Sequence, residues 1–296
     1  MEVDCNNMLT ADHTGHLLSS LNILLVSDTH YALSELDALT EVMKEEKVDL
    51  VLHSGDIVDL PMDNMDVAAD VEEQRRAQVG DVISKLSTCG KGAPVYYIPG
   101  NHDPRSMFGD WSPMSKSSVM IHKSLCRVMP SLVLAGFGGS VPGYVHGQQV
   151  WKGYPFNSNE EMETELRPLM EAIAKEPASG SDPGTLHVGD SVLFVSHVGP
   201  DGSDTALDRS CHGTPQNSVH GGSTYWGKAI TGQEVQCSVV LNIHGHTHAG
   251  YGYSHIGAVP IINPGSLKEK RYGRLVVRHG ECGRWQVDSI TFHTLP

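Results

Sequence analysis

Residues 22–30 read NILLVSDTH, an apolar run of strand-forming residues that ends in two polar side chains, Asp28 and His30. The same arrangement recurs along the chain, and the polar clusters are Asp28-Thr29-His30, Gly55-Asp56, Gly100-Asn101-His102-Asp103, Ser196-His197 and Gly245-His246-Thr247-His248. The apolar runs are short, rich in Val, Ile and Leu, and predicted as buried strands at residues 22–27, 48–54, 95–99, 192–196 and 239–243. Because loops beyond the carboxyl ends of parallel strands meet in one crevice, we expect these clusters to lie together.

The residue types in these clusters are those that bind divalent transition metals. Imidazole together with carboxylate favours Mn, Fe, Zn or Co, whereas Ca and Mg prefer shells made of oxygen alone. Each cluster alone is a weak signal, since an isolated Asp28 or Asp56 would more often be a turn or helix-capping carboxylate. Five clusters that each end a predicted strand indicate a shared metal site instead.

The order of the clusters resembles the pattern of the calcineurin-like metallophosphoesterase superfamily, which runs D-x-H, G-D-x-x-D, G-N-H-D/E, a later single His and G-H-x-H. The resemblance covers residues 21 to about 280. It implies an α/β fold, a four-layer α/β/β/α sandwich with mixed sheets, and a centre of two divalent metal ions (Mn, Fe, Zn or Co). By the same resemblance, one ion is bound by Asp28, His30 and His248, the other by Asn101, His197 and His246, and Asp56 bridges the two.

The expected chemistry follows from that centre. Two divalent ions bind phosphoryl oxygens and lower the pKa of a bridging water, so that a metal-bridging hydroxide attacks near neutral pH. The resemblance assigns no metal to His102, and we expect it to be the general acid that protonates the leaving oxygen. Asp103 either orients and polarises His102 or is a helix-capping or turn carboxylate, and the sequence favours neither reading. Asp59 is a weaker candidate for a similar supporting role.

Differences from the Ser/Thr protein phosphatases of the superfamily narrow the range of possible substrates. Those enzymes carry G-D-x-x-D-R-G and G-N-H-E, whereas here Asp59 is followed by Leu60 and the later block ends in Asp103. The chain looks closer to the small phosphodiesterase-like branch. The preferred function is therefore a phosphoesterase acting on small phosphodiesters, with cyclic nucleotides among the candidates.

Two alternatives stay open at this point. A phosphomonoesterase would use the same metal pair, and a metal-binding scaffold without catalysis is the alternative that is not an enzyme. The presence of Asn101 and His102 argues against the scaffold, since a scaffold needs neither residue.

Substrate contacts are expected near the metals. Residues 199–222 are predicted as a long loop that follows His197, either a lid in which Arg209 or His220 meets the substrate, or a surface loop. Arg105, two residues beyond Asp103, is a further candidate phosphate contact.

Length and composition limit the remaining possibilities. With 296 residues and 39% hydrophobic content, the chain suffices for one large domain, which we place at residues 21–296 after a flexible tail at residues 1–20. The tail lacks the features of a signal peptide, and no apolar run is long enough to cross a membrane. Six cysteines without C-x-x-C pairs favour free thiols and a cytoplasmic location.

The net charge of the chain bears on which phosphate-containing molecules it is able to bind. A formal net charge of −14 disfavours long nucleic acids. A small phosphate ester remains compatible, because two divalent ions carry more charge than the carboxylates of Asp28 and Asp56. The sequence makes no prediction of the oligomeric state.

Helical periodicity predicts three helices, at residues 34–47, 66–86 and 159–175. A capping pair of Ser34 and Asp37 would open the first of them. The strand and helix order of the first hundred residues predicts parallel strands with right-handed crossovers. Antiparallel hairpins and edge strands are expected later, at residues 251–262, 274–277 and 285–292.

Some polar and glycine-rich positions are expected to be structural. His53 and His244 lie inside strand runs, where strand alternation directs a side chain away from the site or into the core. Residues 136–139, Gly-Phe-Gly-Gly, follow an apolar strand and predict close backbone packing beneath the site. Residues 263–266 predict a turn, for which chain reversal explains most of the composition.

Overall fold

The structure is a computed structural model, and it describes residues 19–60, 69–109, 111, 115, 117–174, 186–209, 218–232 and 239–296. Residues 1–18 of the predicted tail lie outside the described residues, as do residues 66–68 and 175 of the predicted helices and residues 210–217 of the predicted loop.

The described strands, in chain order, are β1 (Ser20–Val26), β2 (Leu50–His53), β3 (Val95–Tyr97), β4 (Ser118–Met120), β5 (Ser124–Met129), β6 (Leu132–Phe137), β7 (Gly143–Val145), β8 (Gln148–Trp151), β9 (Ser191–Ser196), β10 (Leu207–Asp208), β11 (Val219–His220), β12 (Val239–Ile243), β13 (Gly252–Ile256), β14 (Val259–Asn263), β15 (Arg271–His279) and β16 (Trp285–Thr294). The described helices are α1 (Leu33–Val42), α2 (Ala69–Cys89), α3 (Asn159–Ala174) and α4 (Thr224–Thr231).

Two six-stranded mixed sheets form the centre of the fold. The first has the order β16-β15-β1-β2-β3-β4 and the second β13-β14-β12-β9-β6-β5. Strands β1 to β3 are parallel, as predicted, β4 pairs parallel with β3, and β15 and β16 form an antiparallel hairpin at the edge. In the second sheet β6, β9, β12 and β14 run parallel while β13 pairs antiparallel with β14. The sequence did not predict β4, β5, β7 or β8.

Three apolar cores lie between the four layers and hold them together. One lies between the two sheets, with Leu25 and Tyr96 from the first sheet packed among Leu134 and Leu193 from the second. A second core joins α1 and α2 to the outer face of the first sheet, and a third joins α3 and α4 to the outer face of the second. Each fully buried leucine stabilises such a core by about 1.5–3 kcal/mol. The four-layer α/β/β/α sandwich with mixed sheets is therefore confirmed.

The start of the first helix differs from the prediction. The N-cap residue of α1 is Ala32, which makes no side-chain capping hydrogen bond, and the Ser34 hydroxyl donates to the carboxylate of Glu35. The predicted capping pair is therefore wrong. The helix is held by packing instead, because Leu36 and Leu39 are fully buried against the first sheet. It ends at Val42, and a 3₁₀ turn over Met43–Glu45 continues it towards the predicted end.

A small antiparallel sheet was not predicted and lies outside the two main sheets. Its order is β10-β11-β7-β8, so it joins the segment after β6 to the segment after β9. The prediction of an unstructured loop at residues 199–222 is therefore only partly right, since β10, β11 and a 3₁₀ turn over Asp204–Ala206 lie within it. The missed strands are two to four residues long, too short to produce a recognisable alternation.

The imidazole of His122 is buried beneath the second sheet. Its Nδ1 accepts a hydrogen bond of 2.9 Å from the backbone N–H of Gly138, and its ring lies edge to face with Phe108 at 5.3 Å between centroids. Burial, with a smaller effect of Lys123, lowers the pKa of His122 to about 3. The imidazole is therefore neutral near pH 7.

This burial predicts acid sensitivity. The unfolded chain protonates His122 near its ordinary pKa of about 6.5, whereas the folded chain does so only near 3, so stability falls as pH drops from 6.5 towards 3. His122→Asn keeps an acceptor for Gly138, and the slope of unfolding free energy between pH 7 and pH 5 should be shallower in this variant than in the wild type. Urea denaturation at both pH values measures it, and equal slopes would contradict the prediction.

Candidate metal centre

The carboxyl ends of strands from both main sheets meet at one place. In the first sheet β1, β2 and β3 end there, and in the second β9 and β12. The loops that follow them are bonded to one another: Asp28 N–H donates to Gly55 O, His30 N–H to Asp56 O and Gly245 N–H to His197 O, each at 3.0 Å. The structure therefore brings the five sequence clusters together.

The first group of side chains comes from the loops after β1 and β12. Possible ligand atoms of Asp28, His30 and His248 lie within 4.8 Å of one another. The Nε2 atom of His248 is 3.4 Å from Asp28 Oδ1 and 3.3 Å from His30 Nε2. The three residues surround one small space, which is the arrangement that the sequence predicted for one metal ion.

The second group joins the loop after β2 to the ends of β9 and β12. Possible ligand atoms of Asp56, His197 and His246 also lie within 4.8 Å of one another. His197 Nε2 is 2.9 Å from Asn101 Oδ1 and 3.4 Å from Asp56 Oδ2. Asn101, the remaining residue predicted for the second ion, therefore adjoins this group through His197.

Asp56 lies between the two groups. Its Oδ2 is 3.4 Å from His197 Nε2 and 3.8 Å from His30 Nε2. Its Oδ1 accepts a hydrogen bond of 2.8 Å from the backbone N–H of His102. The carboxylate is 2% exposed, so it faces both groups of imidazoles and not the solvent.

The donor set fits divalent cations. The Nε2 atom of His246 is buried and has no hydrogen-bond partner among the described residues, as expected of a nitrogen that binds a metal. His197 donates through Nδ1 to the backbone oxygen of Ser54 at 2.8 Å, which leaves its Nε2 lone pair directed into the site. His248 is oriented in the same way by Glu269, whose Oε1 lies 3.3 Å from its Nδ1.

The pKa shifts show that both groups attract positive charge. Burial opposes protonation of His197 and His248, but Asp56 beside the former and Asp28 beside the latter raise the pKa of each imidazole to about 9. Burial likewise opposes ionisation of Asp28, yet His248 holds the pKa of that carboxyl below its usual range. A divalent cation would replace these bound protons in each group.

Glycine is required where the loops approach most closely. A Cβ added at Gly100 would lie 2.1 Å from Asp56 Oδ1 and 2.2 Å from Asp56 N, and one at Gly245 would lie 1.9 Å from the Ser27 hydroxyl. At Gly55, where φ is +100°, a Cβ would lie 2.6 Å from His197 Nδ1. The glycines of the sequence motifs therefore let backbone and ligand side chains touch.

Several predicted ligands have an unusual backbone conformation. The φ angles of Asp28, His30, Asp56 and His246 are 49°, 47°, 54° and 67°. This left-handed region is uncommon for residues other than glycine and costs on the order of 1–3 kcal/mol per residue. Such conformations concentrate at functional sites, where the surrounding structure enforces them.

His102 lies at the edge of this centre. Its Nδ1 is 2.8 Å from the backbone oxygen of Leu60, and its ring centroid is 5.2 Å from that of His30. Asp59 stands beside it, with Oδ1 3.4 Å from His102 Nδ1 and 3.5 Å from His30 Nδ1. Lys268 approaches the other oxygen of Asp59 at 3.2 Å. Asp59, which the sequence analysis ranked below Asp103 as a partner of His102, is therefore the carboxylate that lies beside His102.

Asp103 has a different position from the one that a catalytic partner of His102 requires. Its carboxylate oxygens accept hydrogen bonds from the backbone N–H groups of Val58, at 2.9 Å, and Gly100, at 2.7 Å. Burial and the nearby Asp56 raise the pKa of this carboxyl to about 6. The interpretation of Asp103 as a carboxylate that orients His102 is therefore corrected: it holds the loops after β2 and β3 together.

The two histidines expected to be structural have structural contacts. His53 Nε2 is 2.7 Å from the Thr29 hydroxyl, and His244 Nε2 is 2.8 Å from the Thr205 hydroxyl. Burial lowers the pKa of His53 to about 3 and that of His244 to about 4. Both imidazoles are neutral and engaged beneath the metal-binding loops. Gly138 packs there as predicted, since a Cβ on it would lie 2.2 Å from the Pro99 oxygen.

The three residues predicted to contact the substrate are all exposed. Arg105 begins a 3₁₀ turn over Arg105–Phe108 and is exposed. Arg209 is exposed just after β10 and pairs with Asp204 at 3.0 Å. His220 is exposed on β11, and it is the next residue, Gly221, that lies against the site, 3.5 Å from His246 Nε2 when a Cβ is added. These three residues are not drawn into either ligand group.

A protein-family model described as calcineurin-like phosphoesterase matches residues 21–250, which include every cluster described above. The chain belongs to the calcineurin-like phosphoesterase family. Family membership accounts for the order of the motifs, and it makes the protein a phosphoester hydrolase by family.

Solved structures share the fold. One crystal structure aligns with 94% of this chain and 100% of its own chain, with a TM-score of 0.63 and 16% identity. The protein TT1561 of Thermus thermophilus aligns with 93% of this chain and 99% of its own, with a TM-score of 0.54 and 15% identity. A search of curated proteins finds no match. Among the described residues of this phosphoesterase, no helix has the length and apolarity to span a membrane.

Sequence reasoning missed several residues that support the centre. Asn263 donates through Nδ2 to the backbone oxygen of Thr247 at 2.8 Å, and the Ser266 hydroxyl donates to the backbone oxygen of Asp28 at 2.8 Å. The segment at residues 263–266 therefore does more than reverse the chain. Trp151, whose ring meets that of His246 at 5.4 Å between centroids, had no signal in the sequence, because it lies on a strand of the small sheet.

Proposed function

We propose that the protein is a dinuclear metal-dependent phosphodiesterase that hydrolyses small phosphodiesters. The observation that carries the proposal is the position of Asp56, 3.4 Å from His197 Nε2 and 3.8 Å from His30 Nε2, between two groups of metal-binding residues. A carboxylate in this position is able to ligate one ion on each side. Leu60, where the protein phosphatases carry arginine, supports assignment to the small phosphodiesterase-like branch.

The ligand sets follow from the two groups. One ion would be bound by Asp28, His30 and His248, the other by Asn101, His197 and His246, with Asp56 shared. Mixed imidazole and carboxylate donors favour Mn, Fe, Zn or Co. The ions would polarise the phosphoryl oxygens and supply a hydroxide nucleophile near neutral pH.

His102 is the proposed general acid. The Leu60 oxygen fixes its Nδ1 at 2.8 Å, so the Nε2 atom is the one that is left to give a proton to the leaving oxygen. Asp59, 3.4 Å from the same Nδ1, holds the ring in this orientation and also contacts His30. Positioned acids of this kind accelerate reactions by roughly 10² to 10⁴.

The substrate and the location are part of the same proposal. A formal net charge of −14 favours a small phosphate ester over long nucleic acids. Among the described residues Cys89, Cys126 and Cys282 form no disulfide, and a reducing compartment such as the cytoplasm is part of the proposal.

A hydrolysis screen tests the function. With added Mn, the protein should release p-nitrophenolate from bis(p-nitrophenyl) phosphate faster than from p-nitrophenyl phosphate, and a chelator should stop the release until metal is restored. His102→Ala should lower turnover of the diester by about 10²-fold or more while the metal content stays the same. The matched control is His255→Ala, since His255 is exposed on β13.

Each alternative has its own result. Faster turnover of the monoester would make the protein a phosphomonoesterase. Two ions per chain by elemental analysis, without turnover of either ester or of cyclic nucleotides, would support the scaffold. Equal turnover in the wild type and His102→Ala would remove His102 from the mechanism.

A further inference from the structure

The small sheet reaches the candidate metal centre through Trp151, the last residue of β8. The indole ring lies edge to face with the ring of His246, with 5.4 Å between centroids and 81° between planes. Trp151 as a residue is partly exposed. An aromatic surface therefore adjoins the group formed by Asp56, His197 and His246.

Two glycines make room for this ring. A Cβ on Gly143, the partner of Trp151 across the small sheet, would lie 2.0 Å from Cε2 of the indole. A Cβ on Gly221 would lie 2.5 Å from Cζ2 of the indole and 3.5 Å from Nε2 of His246. The indole is therefore packed on backbone and held beside the nitrogen that would bind the second metal.

The placement of the indole has a cost. Its Nε1 is buried and has no hydrogen-bond partner among the described residues. A buried donor without an acceptor destabilises the folded state, and an aromatic ring without an N–H, such as Phe, would avoid this. Stability of the small sheet would therefore favour Phe over Trp at position 151. Contact with a ligand at the metal centre is a reason for an indole ring there.

We propose that Trp151 forms one wall of a subsite for a planar aromatic group, an aryl ring or a nucleobase, carried by the phosphate ester beside the His246 metal position. This inference rests on the proposed phosphodiesterase function. Aromatic rings gain from edge and face contacts with indole beyond the area they bury, and an alkyl group does not. The net charge of −14 favours a single such group over a polynucleotide.

The small sheet also carries two of the predicted substrate contacts. Arg209 directly follows β10, and His220 lies on β11, which pairs with β7 next to β8. The loop predicted to meet the substrate therefore contributes two strands to this sheet, which was not itself predicted. Trp151 is the residue of this sheet whose ring contacts His246 at the metal centre.

Matched diesters test the subsite. Methyl, phenyl and thymidine 5′ p-nitrophenyl phosphates share one leaving group and differ only in the second substituent. Trp151→Leu should lower kcat/KM about tenfold for the phenyl and thymidine diesters and less than twofold for the methyl diester. Trp151→Phe, which keeps a smaller ring, should lose about threefold on the phenyl and thymidine diesters, less than Trp151→Leu. A larger loss with thymidine than with phenyl would identify a nucleobase as the favoured group.

Binding without turnover gives a second readout. By calorimetry on the metal-loaded protein, the Kd of phenylphosphonate should rise about tenfold in Trp151→Leu, and that of methylphosphonate should not change. Val150→Ala is the control for disturbance of the hairpin, since Val150 is 45% exposed on the same strand. Circular dichroism checks that each variant is folded.

The outcomes separate this inference from the function on which it rests. Equal loss on all three diesters would overturn the subsite and leave the phosphodiesterase function standing. An aromatic preference in phosphonate binding without turnover of any ester would support the subsite and reject the phosphodiesterase function. Absence of both turnover and aromatic preference would overturn the two together.

Discussion

Asp56→Asn is expected to reduce phosphodiester turnover by about 10³-fold or more, the largest catalytic loss of any single substitution in this chain. Asp56 Oδ2 stands between His197 Nε2 and His30 Nε2, and Asn retains the shape but not the charge. Loss of the shared carboxylate weakens both ion positions and the stabilisation of transition-state charge, which is worth several kcal/mol.

Metal content should change together with activity. We expect the wild type to hold about two ions per chain after loading and dialysis, and Asp56→Asn to hold one or fewer. The variant should remain folded, because His197, deprived of its partner, is able to release its proton. Elemental analysis and circular dichroism measure the two quantities.

The control for this experiment is another carboxylate that forms an ion pair away from the centre. Asp288 is 40% exposed in its side chain and pairs with Arg278 at 3.0 Å on the edge hairpin. Asp288→Asn should leave metal content and turnover unchanged. If Asp56→Asn kept two ions and wild-type turnover, the dinuclear assignment would be wrong.

Gly100→Ala is expected to have the largest structural effect. The new Cβ would lie 2.1 Å from Asp56 Oδ1 and 2.2 Å from Asp56 N, and a backbone nitrogen cannot rotate away. The loops after β2 and β3 would have to separate, which also strains the hydrogen bond of 2.7 Å from Gly100 N–H to Asp103. Overpacking of this kind costs about 1–3 kcal/mol, and here it would also displace Asp56, the proposed shared ligand.

Urea denaturation should show the lower stability of Gly100→Ala, and metal affinity should fall in parallel. Gly280→Ala is the matched control, because a Cβ on Gly280 meets its nearest neighbour at 3.4 Å, an ordinary contact. A Gly100→Ala variant with the stability and metal content of Gly280→Ala would show that the two loops are not in tight contact.

The loops that carry the candidate ligands were predictable because their signal is local. Each cluster follows an apolar run such as residues 22–27, and a strand end fixes where the next residues point. The same logic separated His53 and His244 from the ligands, although only His53 lies within a strand and His244 directly follows β12. The structure brings Asp28, His30 and His248 together, and likewise Asp56, His197 and His246, while His30 also forms a cluster with Asp59 and His102 that the family pattern did not predict.

The remaining features depend on contacts between distant segments, which one sequence does not reveal. Ser34 and Asp37 have the spacing of a capping pair, but packing of Leu36 and Leu39 placed the helix start elsewhere. Asp103 and Asp59 are both acidic residues near motif ends, and only the fold shows that the former binds backbone while the latter adjoins His102. The strands that carry Trp151 and His220 are too short for periodicity to detect.

The close approach at Gly100 has a consequence for metal choice. The Asp56 carboxylate lies against the backbone of Gly100 in the neighbouring loop. Its side chain therefore has little room to rotate. Ions of different radius would then be accommodated chiefly by changes in the distances to the imidazoles of His30 and His248, which lie on other segments of the chain. If these residues bind metal as proposed, exchange among ions of similar size should be tolerated, and a much larger ion should be disfavoured by the fixed backbone around Asp56.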